Sequence, residues 1–319
     1  MENASGNGPA YRVRLTTDGL RERADTLDDV LRHCTLCPHA CGMDRAAGRH
    51  GVCRSGTHMR ISSAGPHYGE EPPLVGRGGS GAIFFSSCTL KCAYCQNASI
   101  SQLREGWPVT EEEVAAIMLS LQRRGCHNIN LVTPTHYTPQ IVGALALAAG
   151  SGLRLPVVYN CSGYESVSTL RLLEDIVDIY MPDIKYSSND IARRYSGAPG
   201  YWDVVRQALQ EMHRQVGPLV IGRDGIARRG LLIRHLVLPS GLAGSRDVLE
   251  FIAREVSTDS YVNIMDQYRP TYRARQYAEL NRHVRGSDYA GVVRHARSLG
   301  LHRGIETVMT ETESSAWSA

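Results

Sequence analysis

Residues 81–97 read GAIFFSSCTLKCAYCQN. The segment opens with an apolar run typical of a buried strand, and Cys88, Cys92 and Cys95 follow it with the spacing C-x3-C-x2-C. Thiolates at this spacing can wrap a short loop around one compact inorganic centre, because each sulfur reaches a neighbouring corner of that centre. Three protein ligands leave one metal position open. The segment therefore predicts a strand that carries a metal centre with an open position at its end.

The open position has a different meaning for each metal. On zinc it would activate a water molecule, whereas on one iron of a [4Fe-4S] cube it would bind a substrate or a cofactor. A third interpretation is a zinc knuckle that lacks its fourth ligand. The cysteine spacing leaves these three interpretations open.

Strands and helices alternate along the chain downstream of this segment. Thr110 and Glu113 form a capping box, which starts a helix. Periodicity predicts strands at residues 81–87, 128–133, 155–160, 177–181, 231–237 and 261–265. It predicts helices at residues 110–124, 139–149, 166–173, 201–216, 245–256 and 287–299. Because connections between parallel strands are right-handed, this order predicts an α/β fold, a partial (β/α)6 barrel of the TIM type.

We expect three regions in the chain of 319 residues. Residues 1–80 are predicted to form an N-terminal Cys-rich extension, and residues 81–304 the partial barrel. Residues 305–319 are polar and predicted to be a disordered tail. The functional end of such a barrel is the carboxyl end of its strands.

Composition narrows the class of protein. With 42% hydrophobic residues and a net charge of +3, the chain is globular and shows no preference for nucleic acid or membranes. Its first residues, MENASGNGPAYRVR, lack the apolar core of a signal peptide, so we expect a soluble cytoplasmic protein. In that reducing compartment, its nine cysteines are expected to be metal ligands or reactive thiols.

A second group of cysteines precedes the barrel. Its members are Cys34, Cys37, Cys41 and Cys53. Four thiolates are a complete ligand set for one further metal centre. Three close ligands and a distant fourth favour an auxiliary iron-sulfur cluster, but zinc stays open, since zinc more often takes two separated C-x-x-C pairs.

The C-x3-C-x2-C motif, with Tyr94 before its last cysteine and a strand before it, resembles the signature of the radical S-adenosylmethionine (radical SAM) superfamily. Gln96 and Asn97 extend it to CAYCQN, which is similar to the branch of the pyruvate formate-lyase activating enzyme. Further similarity lies in NINLVTPTHYTPQI, VVYNCSGYES, VDIYMPDIKYS, GLLIRHLVLPSG and YVNIMDQYRP. The resemblance therefore covers residues 34–304.

The resemblance implies a [4Fe-4S] cluster on Cys88, Cys92 and Cys95 that binds S-adenosylmethionine (SAM) at its open iron. An electron then cleaves SAM to a 5′-deoxyadenosyl radical, which abstracts hydrogen from a substrate. The candidate cofactor-binding residues are Tyr94, Thr135, His136, Asn160, Ser162, Asp183, Lys185, Arg234 and Gln267. The candidate catalytic residues are Cys161, as a radical relay or hydrogen donor, and Lys185.

Two candidate groups have simple physical arguments. Asp183 and Lys185 resemble the family's D-x-K motif, and their alternation on an extended segment lets them bind opposite ends of a zwitterion. The alternative is a salt bridge that closes the barrel end. Arg234 and His235 are neighbours in a strand and point to opposite faces, so one of them should face the interior, where arginine would hold a carboxylate.

The turn after the second barrel strand departs from the family. Many relatives carry a glycine-rich GGE-like turn there, which takes the methionyl amino group, whereas this chain has TPTH at residues 133–136. Thr135 and His136 are expected to line the site, and the alternative for His136 is a cap on the following helix.

The leading hypothesis is a radical SAM enzyme that acts on an unknown small molecule or peptide and takes its electron from a donor such as flavodoxin or ferredoxin. An alternative is an activating enzyme that installs a glycyl radical on a protein partner. An alternative of another class is a non-catalytic iron-sulfur protein of electron transfer.

Overall fold

A computed structural model describes residues 8–305 of the chain. Within this range nine strands form one sheet. The strands are β1 (Met59–His67), β2 (Ser80–Phe85), β3 (Trp107–Val109), β4 (Ile129–Val132), β5 (Val157–Cys161), β6 (Ile179–Pro182), β7 (Val220–Ile221), β8 (Ala227–Leu236) and β9 (Tyr261–Met265). No helix in this range is both long enough and apolar enough to cross a membrane.

The helices lie between and around these strands. They are α1 (Ala10–Val13), α2 (Thr17–Asp29), α3 (Pro72–Val75), α4 (Ala98–Ser101), α5 (Glu111–Arg123), α6 (Thr138–Gly150), α7 (Val167–Leu172), α8 (Asn189–Ser196), α9 (Tyr201–Val216), α10 (Ser245–Phe251) and α11 (Gly286–Ser298). Short 3₁₀ turns lie at Val30–His33, Thr135–Tyr137, Pro239–Gly241 and Ala274–Gln276, and one π turn at Ile252–Val256. The predicted capping box is confirmed at the start of α5.

The six predicted strands are confirmed as a parallel sheet. β2, β4, β5, β6, β8 and β9 pair in that order, each parallel to the next. A helix follows each of them, which makes an α/β fold with a mostly parallel sheet, consistent with a partial barrel. The antiparallel strands β1, β3 and β7 at its edges were not predicted.

β8 begins before its predicted start. Its first residues pair antiparallel with the short strand β7, whereas the part from Gly230 onward pairs with the parallel strands. The apolar run in the sequence marks only the second part, because the first part is half exposed and carries Arg228 and Arg229.

The N-terminal region packs against the barrel elements. β1 pairs antiparallel with β2, and Leu20 and Leu27 of α2 are fully buried in the same apolar core as α6. The predicted boundary at residues 80 and 81 stays a prediction. The predicted tail, apart from Ile305, lies outside the described residues.

The two faces of the sheet pack against different partners. Alternate side chains such as Tyr159 and Tyr180 belong to the large core shared with the helices. On the opposite face, Leu74 of α3 packs in a smaller apolar cluster with residues of β5, β6 and β8. The segment around α3 thus covers the sheet face that the helices leave open, and it brings Glu70 and Glu71 near the strand ends.

Candidate active site

A cavity of about 350 Å³ opens at the carboxyl ends of the parallel strands. The predicted residues that line it are Cys88, Cys92, Tyr94, Cys95, Asn160, Cys161, Ser162, Asp183, Lys185, Arg234 and Gln267. Every parallel strand contributes lining residues from its carboxyl end or from the segment that follows. The cavity therefore lies where parallel α/β sheets place their ligand sites.

Each cysteine of the C-x3-C-x2-C loop has a hydrogen-bond partner at its sulfur. The contacts are Leu90 N to Cys88 Sγ at 3.3 Å, Ser196 Oγ to Cys92 Sγ at 3.0 Å, and Cys95 Sγ with Ser101 Oγ at 3.1 Å. Such contacts orient ligand sulfurs and stabilise their negative charge.

The end of α8 holds the backbone of this loop. Lys91 N donates to Ser196 O, and Ala93 N donates to Tyr195 O, each at 2.7 Å. The neighbouring Tyr94 ring makes edge contacts with other buried tyrosines, which keeps it on the cavity wall. The loop is thus fixed on one side by helix carbonyls and on the other by aromatic packing.

The donor set fits the cluster that the motif implies. Burial raises the pKa of Cys88 to about 12, and nearby Cys92 and Cys95 add to that rise, so metal binding must displace protons. Within residues 8–305, no three His, Cys, Asp or Glu side chains converge on a single ion position. A [4Fe-4S] cube does not require such convergence, since each thiolate binds a different iron atom.

Buried charges form the opposite wall of the cavity. Asp183 accepts from Arg234 Nε at 2.7 Å and from Lys185 Nζ at 2.9 Å. Burial raises the pKa of Asp183, but the two cations outweigh it and hold that pKa near 2. Burial likewise lowers the pKa of Lys185, and Asp183 reverses this and raises it. The D-x-K pair therefore lines the cavity and is also the salt bridge that the sequence left as its alternative.

Glu70 and Glu71 were missed from the sequence. Glu70 Oε2 accepts from Arg234 Nη1 at 3.0 Å, and Glu70 Oε1 accepts from Asn130 and Asn160 at 3.1 and 3.4 Å. Glu71 Oε1 lies 3.9 Å from the same guanidinium. The available signal was a pair of adjacent acidic residues followed by two prolines, directly before a segment that must be buried.

Arg234 is thus held by several partners at once. Its Nη2 donates to Asn160 Oδ1 at 2.9 Å, in addition to its contacts with Asp183 and Glu70. As expected for neighbours in a strand, His235 points away from the cavity, where its ring contacts Ile184 O and Ser245 Oγ. Arg234 is therefore the residue that faces the interior, but carboxylates of this chain already pair with its guanidinium.

The turn at 133–136 differs from the expectation. Thr135 and His136 do not line the cavity, because Thr135 Oγ1 donates to Glu165 at 2.7 Å and His136 Nε2 contacts Ser86 O at 2.8 Å. Burial lowers the pKa of His136 to about 3, so its ring is neutral. Thr133 lines the cavity instead, with a left-handed backbone at φ 59°.

Cys161 lies between the cavity and a buried carboxyl group. Cys161 is among the residues that line the cavity, but its side chain alternates with that of Asn160 and lies in the core with Tyr159, beside Glu165. Glu165 also accepts from Thr135 and from Tyr159 OH. Burial raises the pKa of Cys161 well above its ordinary value, and Glu165 adds to this. Cys161 is therefore a protonated thiol behind the cavity wall, beside Glu165. Ser162 Oγ beside it is buried and has no hydrogen-bond partner within residues 8–305.

Three of the four N-terminal cysteines, Cys34, Cys37 and Cys53, are close enough for their charges to interact, and Cys41 Sγ lies 4.0 Å from Cys34 O. Burial raises the pKa of Cys37 to about 12, and the neighbouring Cys53 and Cys34 raise it further. Cys41 packs against Gly51, where an added Cβ would lie 2.4 Å from its sulfur. Within residues 8–305 these thiols, like those of the cavity loop, do not converge on a single ion position, an arrangement that a cube allows because each thiolate binds a different iron atom.

The two cysteine groups are neighbours. His39 Nε2, from the N-terminal segment, contacts Thr89 O of the cavity loop at 2.8 Å. Lys91 lies near both Cys53 and Cys88, since each of these thiols affects its pKa, which burial lowers. The N-terminal segment therefore supports the back of the loop that carries Cys88, Cys92 and Cys95.

Comparison with known proteins gives the family. The model of the radical SAM superfamily matches residues 82–226. An uncharacterised protein of Methanocaldococcus jannaschii is 30% identical over 270 residues, which cover 82% of this chain and 73% of that protein.

Solved structures give weaker similarities. Native anSMEcpe with bound AdoMet has 11% identity and a TM-score of 0.45, over 67% of this chain and 57% of that one. TYW1 with a lysine-pyruvate adduct bound has 15% identity and a TM-score of 0.41, over 73% of this chain and 77% of that one. The C-x3-C-x2-C loop falls within the matched residues 82–226, and the chain belongs to the radical SAM superfamily.

Proposed function

We propose that this protein is a radical SAM enzyme that cleaves SAM reductively and abstracts a hydrogen atom from a small molecule or peptide. The observation that carries the proposal is a single cavity shared by the three motif cysteines with Asp183, Lys185 and Arg234. A protein that only transfers electrons needs the cysteines but has no use for a buried charged pocket beside them.

A bound [4Fe-4S] cluster with SAM supplies a carbon-centred radical able to break a C–H bond. The residues of this chain orient the reactants and keep water away. Asp183 stays anionic above about pH 2, and the raised pKa of Lys185 keeps it cationic, so both present fixed charges to amino and carboxylate groups. The low exposure of this wall limits the access of water to a reactive intermediate.

The test is SAM cleavage by the full chain after anaerobic reconstitution with iron and sulfide. Dithionite and SAM should give 5′-deoxyadenosine, measured by liquid chromatography. Cys88→Ala should abolish it, whereas Cys126→Ala, a buried cysteine outside the cavity, should leave it unchanged. Wild-type product no higher than in Cys88→Ala would refute the proposal.

The pyruvate formate-lyase activating enzyme-like branch is the second candidate. It is supported by Gln96 and Asn97 of CAYCQN, which line the same cavity as Asp183 and Lys185 of D-x-K. Its test is a glycyl radical, detected by electron paramagnetic resonance (EPR), on a protein encoded beside this one. Flavodoxin or ferredoxin is the proposed electron donor in either case.

We also propose a second metal centre on Cys34, Cys37, Cys41 and Cys53. The proximity of the thiols of Cys34, Cys37 and Cys53 and the burial of Cys34 and Cys53 support it. Iron and zinc counts on the reconstituted chain distinguish its forms. About eight irons would indicate two cubes, and about four irons with zinc would indicate a zinc site.

A further inference from the structure

Arg45 is a fully buried cation in the N-terminal segment, with an exposure of 1%. Its Nη2 donates to the carbonyl oxygens of Gly56 and His136 at 2.6 and 2.7 Å. Its Nη1 faces Cys34 Sγ at 3.8 Å. The Nε atom is buried and has no hydrogen-bond partner within the described part of the chain. The guanidinium thus meets carbonyls and one sulfur.

Carboxylates do not balance this charge. Among residues 8–305 Arg45 forms no ion pair with an acidic side chain. Asp28 is near enough for Arg45 to affect its pKa, which burial raises, but Asp28 is exposed and bonds to Gln140 instead. A buried guanidinium without a counter-ion is strongly destabilising, because its charge has lost its hydration and is not compensated. Carbonyl dipoles lower this penalty but do not neutralise the charge.

The group that faces Arg45 can supply the missing charge. A thiol is neutral, whereas a thiolate bound to a metal is anionic, and four thiolates around zinc or an oxidised cube leave a net negative charge. Cys34 belongs to the four-cysteine group, and Arg45 lies in the sequence between Cys41 and Cys53. The cation therefore sits beside the site where a negative charge is expected.

We propose that Arg45 is the charge-balancing and positioning residue of a thiolate-ligated metal centre on the four N-terminal cysteines. This inference rests on the second metal centre proposed above and deepens it. Nη1 stabilises the Cys34 thiolate, and Nη2 ties the segment to Gly56 and to the turn at His136. Because His136 Nε2 contacts Ser86 O, this anchor reaches the strand end before Cys88.

The test uses the full chain with Cys88→Ala, Cys92→Ala and Cys95→Ala as the parent, so that the catalytic loop cannot hold a cluster. The parent is loaded with zinc in one series and with ferrous iron and sulfide in another. Arg45→Met removes the charge, Arg45→Lys keeps it, and Arg49→Gln is the control at an exposed arginine of the same segment. Metal loss to a chelator and the thermal midpoint are measured for each chain.

Arg45→Met should lose metal roughly 10- to 100-fold faster than the parent, as is typical when a residue beside a metal ligand is removed. It should lower the midpoint of the loaded chain and raise that of the metal-free chain, because only the latter buries an unbalanced cation. Arg45→Lys should remain nearer the parent, and Arg49→Gln should match it.

Equal falls in the midpoints of both forms, or unchanged metal retention, would overturn the role of Arg45. If Arg45→Met does not fold, the rates of metal loss from Arg45→Lys and Arg45→Gln decide the same question. A parent chain that takes up neither zinc nor iron overturns the second centre itself, with no reference to the Arg45 variants. The two failures are therefore distinct.

Discussion

Glu165 should make the stability of this protein fall as pH rises above neutrality, and Glu165→Gln should remove that fall. The side chain is 1% exposed, and its carboxyl group accepts hydrogen bonds from Thr135 Oγ1 at 2.7 Å and Tyr159 OH at 3.3 Å. Burial raises its pKa from 4.5 to about 8, against the lowering effect of these hydrogen bonds. At neutral pH the group is therefore mainly protonated in the folded protein and ionised in the unfolded chain.

The size of the effect follows from linkage. When a group has a higher pKa in the folded protein than in the unfolded chain, its contribution to the free energy of unfolding is complete below the pKa of the unfolded chain. That contribution is lost as pH rises to and through the pKa of the folded protein. For values of 4.5 and about 8, the loss between pH 6 and pH 9 is about 3 kcal/mol, since one pKa unit is about 1.4 kcal/mol. For a chain of 319 residues, that corresponds to a fall in thermal midpoint of roughly 4–5 °C.

The assay is thermal unfolding of the wild type and Glu165→Gln from pH 6 to pH 9, at the same metal content. The difference between their midpoints isolates Glu165, because all other titrating groups are common to both chains. Glu22→Gln, at an exposed glutamate of α2, should follow the wild type. Parallel pH profiles for the wild type and Glu165→Gln would refute the reasoning.

Three further changes test other contacts. Asp183→Asn leaves Arg234 short of a carboxylate and should lower the free energy of unfolding by about 3–5 kcal/mol in urea titrations, whereas less than about 1 kcal/mol would contradict the pairing. Ser196→Ala removes the hydrogen bond from Ser196 Oγ to Cys92 Sγ. Because that hydrogen bond stabilises the more negative, reduced cluster, EPR titration of the variant should give a lower midpoint potential at unchanged iron content. An unchanged or higher potential would argue against that contact. Gly163→Ala should lower the free energy of unfolding by about 1–3 kcal/mol, because Gly163 has a φ of +73° and the new Cβ would lie 2.7 Å from a side chain of α9. A variant as stable as the wild type would show that the turn can move.

The sheet could be predicted because its signal is local. A buried parallel strand reads as a short apolar run such as NINLV or LPVVYN, and the alternation with helices gives the strand order. The cysteine loop was equally accessible, since its spacing is a property of eight consecutive residues. The cavity residues Asp183 and Arg234 followed from their places at strand ends.

The remaining features depend on contacts between distant segments. Nothing in the local pattern around Glu70 shows that its carboxylate meets Arg234. Thr135 and His136 were placed in the cavity by position after a strand, but the left-handed Thr133 turns the chain so that both point elsewhere. A threonine at positive φ gives no sequence signal, unlike a glycine.

The acidic pair before α3 also bears on the order in which the protein assembles. Glu70 is 164 residues from Arg234 in sequence, and Glu71 is 192 residues from Asn263, which donates to it at 2.9 Å. During synthesis both acids emerge long before their partners on β8 and β9, so they stay hydrated until the last strands join the sheet. Contacts of such separation slow folding, because the chain must close long loops before it gains them. Cofactor binding is therefore expected only after β8 and β9 have docked, and a chain truncated before β8 should not bind SAM.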